Sequence, residues 1–116
     1  MTSSTEVVVH ELAGTVVLEL HGTIDRSASD ALADAYAQTE GMVKAAHVVL
    51  DFTDVEYINS SGIALVVSVL ARARAEGRGV AAIGLTEHYR HIFDITRLSD
   101  FIDICPDLDT ALQGRR

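Results

Sequence analysis

Three consecutive stretches constrain this chain more than anything else in it. They are His47-Val-Val-Leu-Asp-Phe52, then Tyr57-Ile58-Asn59-Ser60-Ser61-Gly62, then an almost unbroken apolar segment from Ile63 to Ala75. The first is short and apolar and reads as a buried strand. The third is long enough to be a helix and reads as one. Two hydroxyls and a glycine are left between them, at or beside a helix N-terminus. Asn and Ser at such a place accept hydrogen bonds from the free amides of the first turn. The same amides, together with the helix dipole, favour an added phosphate. Gly62 lacks a Cβ, so another part of the chain can come close to the hydroxyls. From the residues alone two readings stand: a well-capped helix start, and a site suited to carry phosphate.

The flanks supply the rest of an alternating pattern. Glu6–Glu11 and Thr15–His21 are β-rich runs separated by Leu-Ala-Gly, which predicts a hairpin turning near Gly14. Val16, Val17, Leu18 and Leu20 are too continuously apolar for a half-exposed strand, which predicts an interior one. Gly22 to Arg26 reads as a loop. Ser27 and Asp30 suggest a capping arrangement, after which Ala28, Ala31, Leu32, Ala35, Tyr36 and Thr39 follow helical spacing to an end near Gly41. On the central helix Ile63, Val66, Val67 and Leu70 form one apolar stripe, and Leu65, Val69 and Ala73 a second. So wide an apolar surface means deep packing or an outer strip that meets a partner. Gly77 and Gly79 stop that helix. Val80–Leu85 reads as a strand, Thr86 as the cap of a helix through His88, Tyr89, Ile92, Phe93 and Ile95, and Phe101–Cys105 as a last strand. Pro106 opens a final turn or helix with Leu108, Ala111 and Leu112. Strands alternating with helices after a hairpin predict crossover connections and a mostly parallel or mixed sheet. Right-handed crossovers put strand-to-helix loops at one end of the sheet, so Asp25 and the Asn59–Gly62 loop should be neighbours.

Length and charge narrow the function. At 116 residues the chain is expected to be one domain, 1–116, with 1–5 and 114–116 flexible. A net charge of −8 opposes direct contact with nucleic acid or an anionic membrane. No apolar run is long enough to insert in a bilayer, and Met1–His10 lacks the pattern of a signal peptide. The single cysteine, Cys105, makes no internal disulfide, in keeping with the expected cytoplasmic location. Ser60 and Ser61 are not in a Gly-x-Ser-x-Gly elbow, no histidine is placed beside them, and there is no phosphate-cradling P-loop. No catalytic residue and no cofactor are therefore expected. His88 and His91 stand three apart near Glu87 and Asp94 but lack a third ligand on their face, so they read as surface histidines and no metal is expected.

Tyr57-Ile-Asn-Ser-Ser-Gly-Ile-Ala-Leu65 resembles the signature of STAS domains, in particular the bacterial anti-sigma factor antagonists (anti-anti-sigma factors). Gly22-Thr-Ile-Asp25, the Tyr89–Leu98 helix and Phe101-Ile-Asp-Ile104 extend the likeness over nearly the whole chain. The resemblance implies an α/β fold, STAS-like, with a four- to five-stranded mixed sheet and about four helices. It implies that the serine directly before the glycine, Ser61, accepts phosphate, with Ser60 the alternative, and that Asn59, Ser60, Gly62 and Asp25 form the switch loop. Asn59 stands where the family often has Asp, which keeps the capping ability and removes a charge. Tyr57, Ile63, Leu65 and Val69 are the expected partner-binding residues, although Leu65 and Val69 equally fit interior packing. The implied partners are an anti-sigma factor with serine kinase activity and a phosphatase. The alternative is a non-catalytic STAS subunit of a larger assembly: a stressosome, a lipid ABC transporter or a secretion regulator. A monomer is expected in isolation.

Overall fold

A computed structural model describes residues 5–12, 14–39 and 46–113. The order of elements is β1 (Glu6–Leu12), β2 (Thr15–Ile24), α1 (Ser29–Thr39), β3 (His47–Ile58), α2 (Ser60–Ala75), β4 (Gly79–Ile83), α3 (Glu87–Ile95), β5 (Asp103–Cys105) and α4 (Leu108–Gln113). Short 3-10 turns at Arg26–Ala28 and Leu98–Asp100 join β2 to α1 and α3 to β5. The five strands lie in sequence order, β1-β2-β3-β4-β5. β1 and β2 are an antiparallel hairpin, and every later pair is parallel. The hairpin turns at Gly14, whose φ of +78° suits a residue without a Cβ. Among the described residues the mixed sheet and four helices are those the resemblance implies. The expected end of α1 near Gly41, and the expected flexibility of 1–4 and 114–116, lie outside the described residues.

Alternation along the strands sorts the two faces. Val16, Leu18 and Leu20 of β2, with Val48, Leu50 and Phe52 of β3, point toward α1, α2 and α3 and form the main core. Phe93 of α3 meets Phe52 edge-on at 6.0 Å between ring centres. Val17, Val49, Ala81 and Ile83 point the other way and are covered by α4 through Ala111 and Leu108. The first half of β2 is therefore buried on both sides, as its continuous apolar run predicts. Tyr36 of α1 is fully buried. Its hydroxyl donates to Glu76 at 2.7 Å, and the Arg72 guanidinium sits 4.6 Å over its ring, fastening α1 to the end of α2.

The structure corrects three sequence expectations. Gly22–Ile24 is strand, not loop. Asp25 caps the 3-10 turn by accepting from the Ser27 amide, so Ser27 is not the helix cap and α1 starts at Ser29. β3 runs six residues beyond Phe52, to Ile58. That extension follows β2 through two register shifts: Glu19 pairs with Asp51 but His21 with Asp54, and Gly22 with Val55 but Thr23 with Tyr57. Each shift sets an extra β3 residue against β2. At the first, the Asp51 carboxylate accepts from the Thr53 amide at 2.9 Å and the Thr53 hydroxyl at 2.6 Å.

Candidate functional site

β2 and β3 end side by side, Ile24 opposite Ile58. The chain then leaves β2 through Asp25 and β3 through Asn59, so the two loops are neighbours, as the crossover topology predicts. The Asn59 amide donates to the Ile24 carbonyl at 3.3 Å. Asn59 is the N-cap of α2, with extended backbone (φ −97°, ψ −175°). Its side-chain oxygen accepts from the Gly62 amide at 2.9 Å, and its carbonyl accepts from the Ile63 amide at 3.0 Å. Ser60, Ser61 and Gly62 are therefore the first three residues of the helix.

Gly62 is buried and its φ is not positive, so its need for a hydrogen in place of a Cβ is one of space. A Cβ there would stand 1.9 Å from the Ile24 carbonyl oxygen, 2.8 Å from its carbon and 2.9 Å from Cγ2 of Ile58. The first turn of α2 thus rests directly on the end of β2. Ser60 is exposed and Ser61 half-buried. Among the described residues neither hydroxyl, and neither serine amide, has a hydrogen-bond partner. The helix start so offers two free N–H donors beside two free hydroxyls, an arrangement that favours a bound or covalent anion. Asp25 lies one residue past Ile24, and its carboxylate is engaged with Ser27.

Tyr89 of α3 also belongs to the site, and nothing in the sequence marked it. β4 ends at Ile83, opposite Asp51, so among the described residues the last part of β3 has no neighbouring strand on that side. There the Ile58 amide donates to the Tyr89 hydroxyl at 2.9 Å. α3, itself capped by Thr86 at the Tyr89 amide, is in this way tied to the residue before Asn59. In the sequence Tyr89 is one more apolar position of an amphipathic helix. Its bond depends on β3 outrunning β4.

The four expected partner residues divide. Tyr57 is 55 % exposed, and Ile63 and Leu65 are half-buried against the main core. Val69 is only 5 % exposed and lies within that core, so it is corrected to a packing residue. Val67, on the same sequence stripe as Ile63 and Val66, is 42 % exposed. His88 and His91 are both exposed. Among the described residues no three His, Cys, Asp or Glu side chains converge as a metal site requires, and no helix is long and apolar enough to cross a membrane. A broad open cavity of about 780 Å³, lined in part by Thr15, His47, Gly79 and Asp103, lies at the amino ends of β2, β3 and β4. Ser61 is at the opposite end of the sheet.

A family model described as "Mlab, STAS domain" matches residues 7–106. The chain has no match among curated proteins. Among solved structures it is similar to an anti-sigma factor antagonist from Mycobacterium paratuberculosis, at 22% identity, with 98% of this chain and 97% of that one covered and a TM-score of 0.82. It is similar to the Bacillus cell fate determinant SpoIIAA in its phosphorylated form, at 16% identity over 94% and 99% of the two chains, TM-score 0.71. It is also similar to an RsbS from Moorella thermoacetica, at 15% identity over 92% of each chain, TM-score 0.78. At these identities the solved structures share the fold, and the match over residues 7–106 carries the kinship: the chain belongs to the STAS domain family.

Proposed function

We propose that this chain is an anti-sigma factor antagonist, binding an anti-sigma factor while Ser61 is free and released when Ser61 is phosphorylated. The observation that carries the reading is the start of α2. Ser61 presents an unbonded hydroxyl next to unpaired helix amides, on a turn fixed by the Asn59 cap and by the contact of Gly62 with Ile24. Two similar structures bear names that support it: one is an anti-sigma factor antagonist, and another is in a phosphorylated form.

The chemistry is group transfer performed by the partner, not by this chain. The Ser61 oxygen attacks the γ-phosphorus of ATP on a kinase, ADP departs, and the hydroxyl proton passes to a base of the kinase. The product carries about −1.5 to −2 charges at neutral pH. The helix N-terminus stabilises that charge by roughly 0.3–1 kcal/mol. An apolar or acidic partner surface meets it with repulsion and a desolvation cost. A penalty of about 1.4 kcal/mol already lowers affinity tenfold. Hydrolysis by a phosphatase restores the hydroxyl. Tyr57 and the accessible parts of Ile63 and Leu65 supply apolar contact for the unmodified state.

The test is intact-mass and peptide mapping of the protein from its native cells, resting and stressed, with binding of S61A and S61D to the captured partner. Phosphate on Ser61 with condition-dependent occupancy, binding retained by S61A and weakened in S61D, is the expected result. Phosphate on Ser60 alone moves the acceptor by one residue. No phosphate under any condition, with both variants binding like wild type, refutes the switch and leaves the constitutive-subunit alternative.

A further inference from the structure

β1 is a free edge of the sheet, with β2 on one side and no strand on the other among the described residues. The outward backbone N–H and C=O groups of such a strand form a template for another chain. Proteins guard long edges with charged side chains, lysine above all, and with proline, bulges, brevity or a covering segment, and of these β1 carries only two glutamates, Glu6 and Glu11, among the described residues. β1 has seven residues, no lysine and no proline, and its register with β2 is unbroken from Glu6↔His21 to Leu12↔Thr15. The opposite edge, β5, has three residues.

The order of side chains along this edge is self-complementary. Glu6, Val8 and His10 lie opposite His21, Glu19 and Val17 of β2, on the face that α4 covers only in part. Val7 and Val9 lie opposite Leu20 and Leu18 and lean on the main core. When two copies pair antiparallel about a two-fold axis, outward-facing residues must meet outward-facing residues, which confines the axis to a residue position. With the axis at Val8, Glu6 faces His10 of the second copy, and His10 faces its Glu6. On the other face Val7 meets Val9 twice. Val8, 37 % exposed in a single copy, meets itself. Moving the axis to Val9 sets Glu6 against Leu12 and Val7 against Glu11. Moving it to Val7 sets Glu6 against Val8. Of these registers only the one at Val8 sets the imidazole of each copy against a carboxylate of the other and stacks valine on valine.

We propose that β1 pairs with β1 of a second copy, antiparallel about Val8, so that two sheets become one. The homodimer replaces the monomer expected from the sequence. It is independent of the phosphorylation reading: β2 stands between β1 and the strand that leads to Ser61, so both copies present α2 freely.

Sedimentation equilibrium over a wide concentration range tests it, together with cysteine cross-linking mapped by mass spectrometry so that Cys105 is accounted for. The wild type should dimerise. V8K, which sets two ammonium groups face to face on an exposed position, should weaken the dimer about tenfold or more while circular dichroism stays native. H10K, which sets a cation opposite Glu6, should still dimerise. V8C should form a disulfide across the axis, since facing Cβ atoms lie about 4.5–5.5 Å apart, near disulfide reach. H10C should not, because its copies are offset by about 13 Å along the strands. A monomer at every concentration, a dimer indifferent to V8K, or H10C cross-linking as readily as V8C overturns the proposal.

Discussion

Adding one methyl group at Gly62 tests the packing that fixes the first turn of α2. In G62A the new Cβ would lie 1.9 Å from the Ile24 carbonyl oxygen, with the carbonyl carbon at 2.8 Å and Ile58 Cγ2 at 2.9 Å. An unstrained carbon–oxygen contact needs about 3.3 Å. The gap must therefore open by about 1.4 Å, and two of the three obstructing atoms are backbone at the end of a paired strand. The first turn of α2 has to move instead, which strains the Asn59–Gly62 cap and the Asn59–Ile24 hydrogen bond. Overpacking costs about 1–3 kcal/mol and a lost cap about 1 kcal/mol. Alanine returns up to about 1 kcal/mol through helix propensity. The net is a loss of about 2 kcal/mol, or a fall in Tm of about 8 °C for a domain of this size. Thermal and denaturant unfolding measure it, and amide shifts of Asn59 to Ile63 should move together. G62A melting at or above the wild type with those shifts unchanged would refute the close approach of α2 to β2.

Other perturbations separate packing from surface. V69A should cost roughly 2 kcal/mol in denaturant unfolding, because Val69 is in the core, whereas V67A should stay within about 0.5 kcal/mol. Y89F strands the Ile58 N–H. It should cost about 1–2 kcal/mol and speed hydrogen exchange at Ile58 and Asn59 more than at β4. On the open face of the sheet, His21 bonds Glu19 at 2.9 Å and lies 3.5 Å from Asp54, and these carboxylates, Glu19 first, raise its pKa above 6.5. A raised folded-state value means the stabilisation is fully present below 6.5 and lost as pH rises through the folded pKa. Melting curves from pH 5 to 8 should show that slope in the wild type and lose it in H21Q.

Where the chain obeys a simple period or a local cap, its structure was legible. The apolar start of β3, the cap at Asn59, the cap at Thr86 and the turn at Gly14 depend on neighbours within a few residues, and each is where the sequence places it. The far half of β3 was hidden because Thr53, Asp54, Glu56 and Tyr57 are all exposed and two register shifts break the alternation. The helix after β2 was read as starting at Ser27 because an intervening 3-10 turn takes its cap from Asp25. The sequence leaves open which of Val67 and Val69 faces inward, for a different reason. α2 is apolar on most sides, so its sequence does not say which stripe the sheet will take. In the structure the sheet takes Val66, Val69, Leu70 and Ala73. Tyr89 escaped because its bond to Ile58 exists only when two strands of unequal length are already paired.

The strand order has a consequence in time as well as space. Leu12 pairs with Thr15, three residues on, but Thr15 pairs with His47 and His47 with Gly79, each 32 residues on. Only the hairpin is local, and hairpins close in about 1–10 μs. The parallel pairs must first meet the loop-closure entropy of a whole crossover. β4 and β5 close a shorter span, Ala81 with Asp103, over only three residue pairs. The two crossovers that meet at β3 have equal spans and neither leads the other in entropy, so of these the larger contact, β2 with β3, has the stronger claim to form first. Ile24, on which Gly62 rests, belongs to that pairing. The turn at Asn59–Gly62 thus comes into being only after that long closure, and on the reading proposed above a kinase that recognises its shape would meet it only on a chain that has already folded.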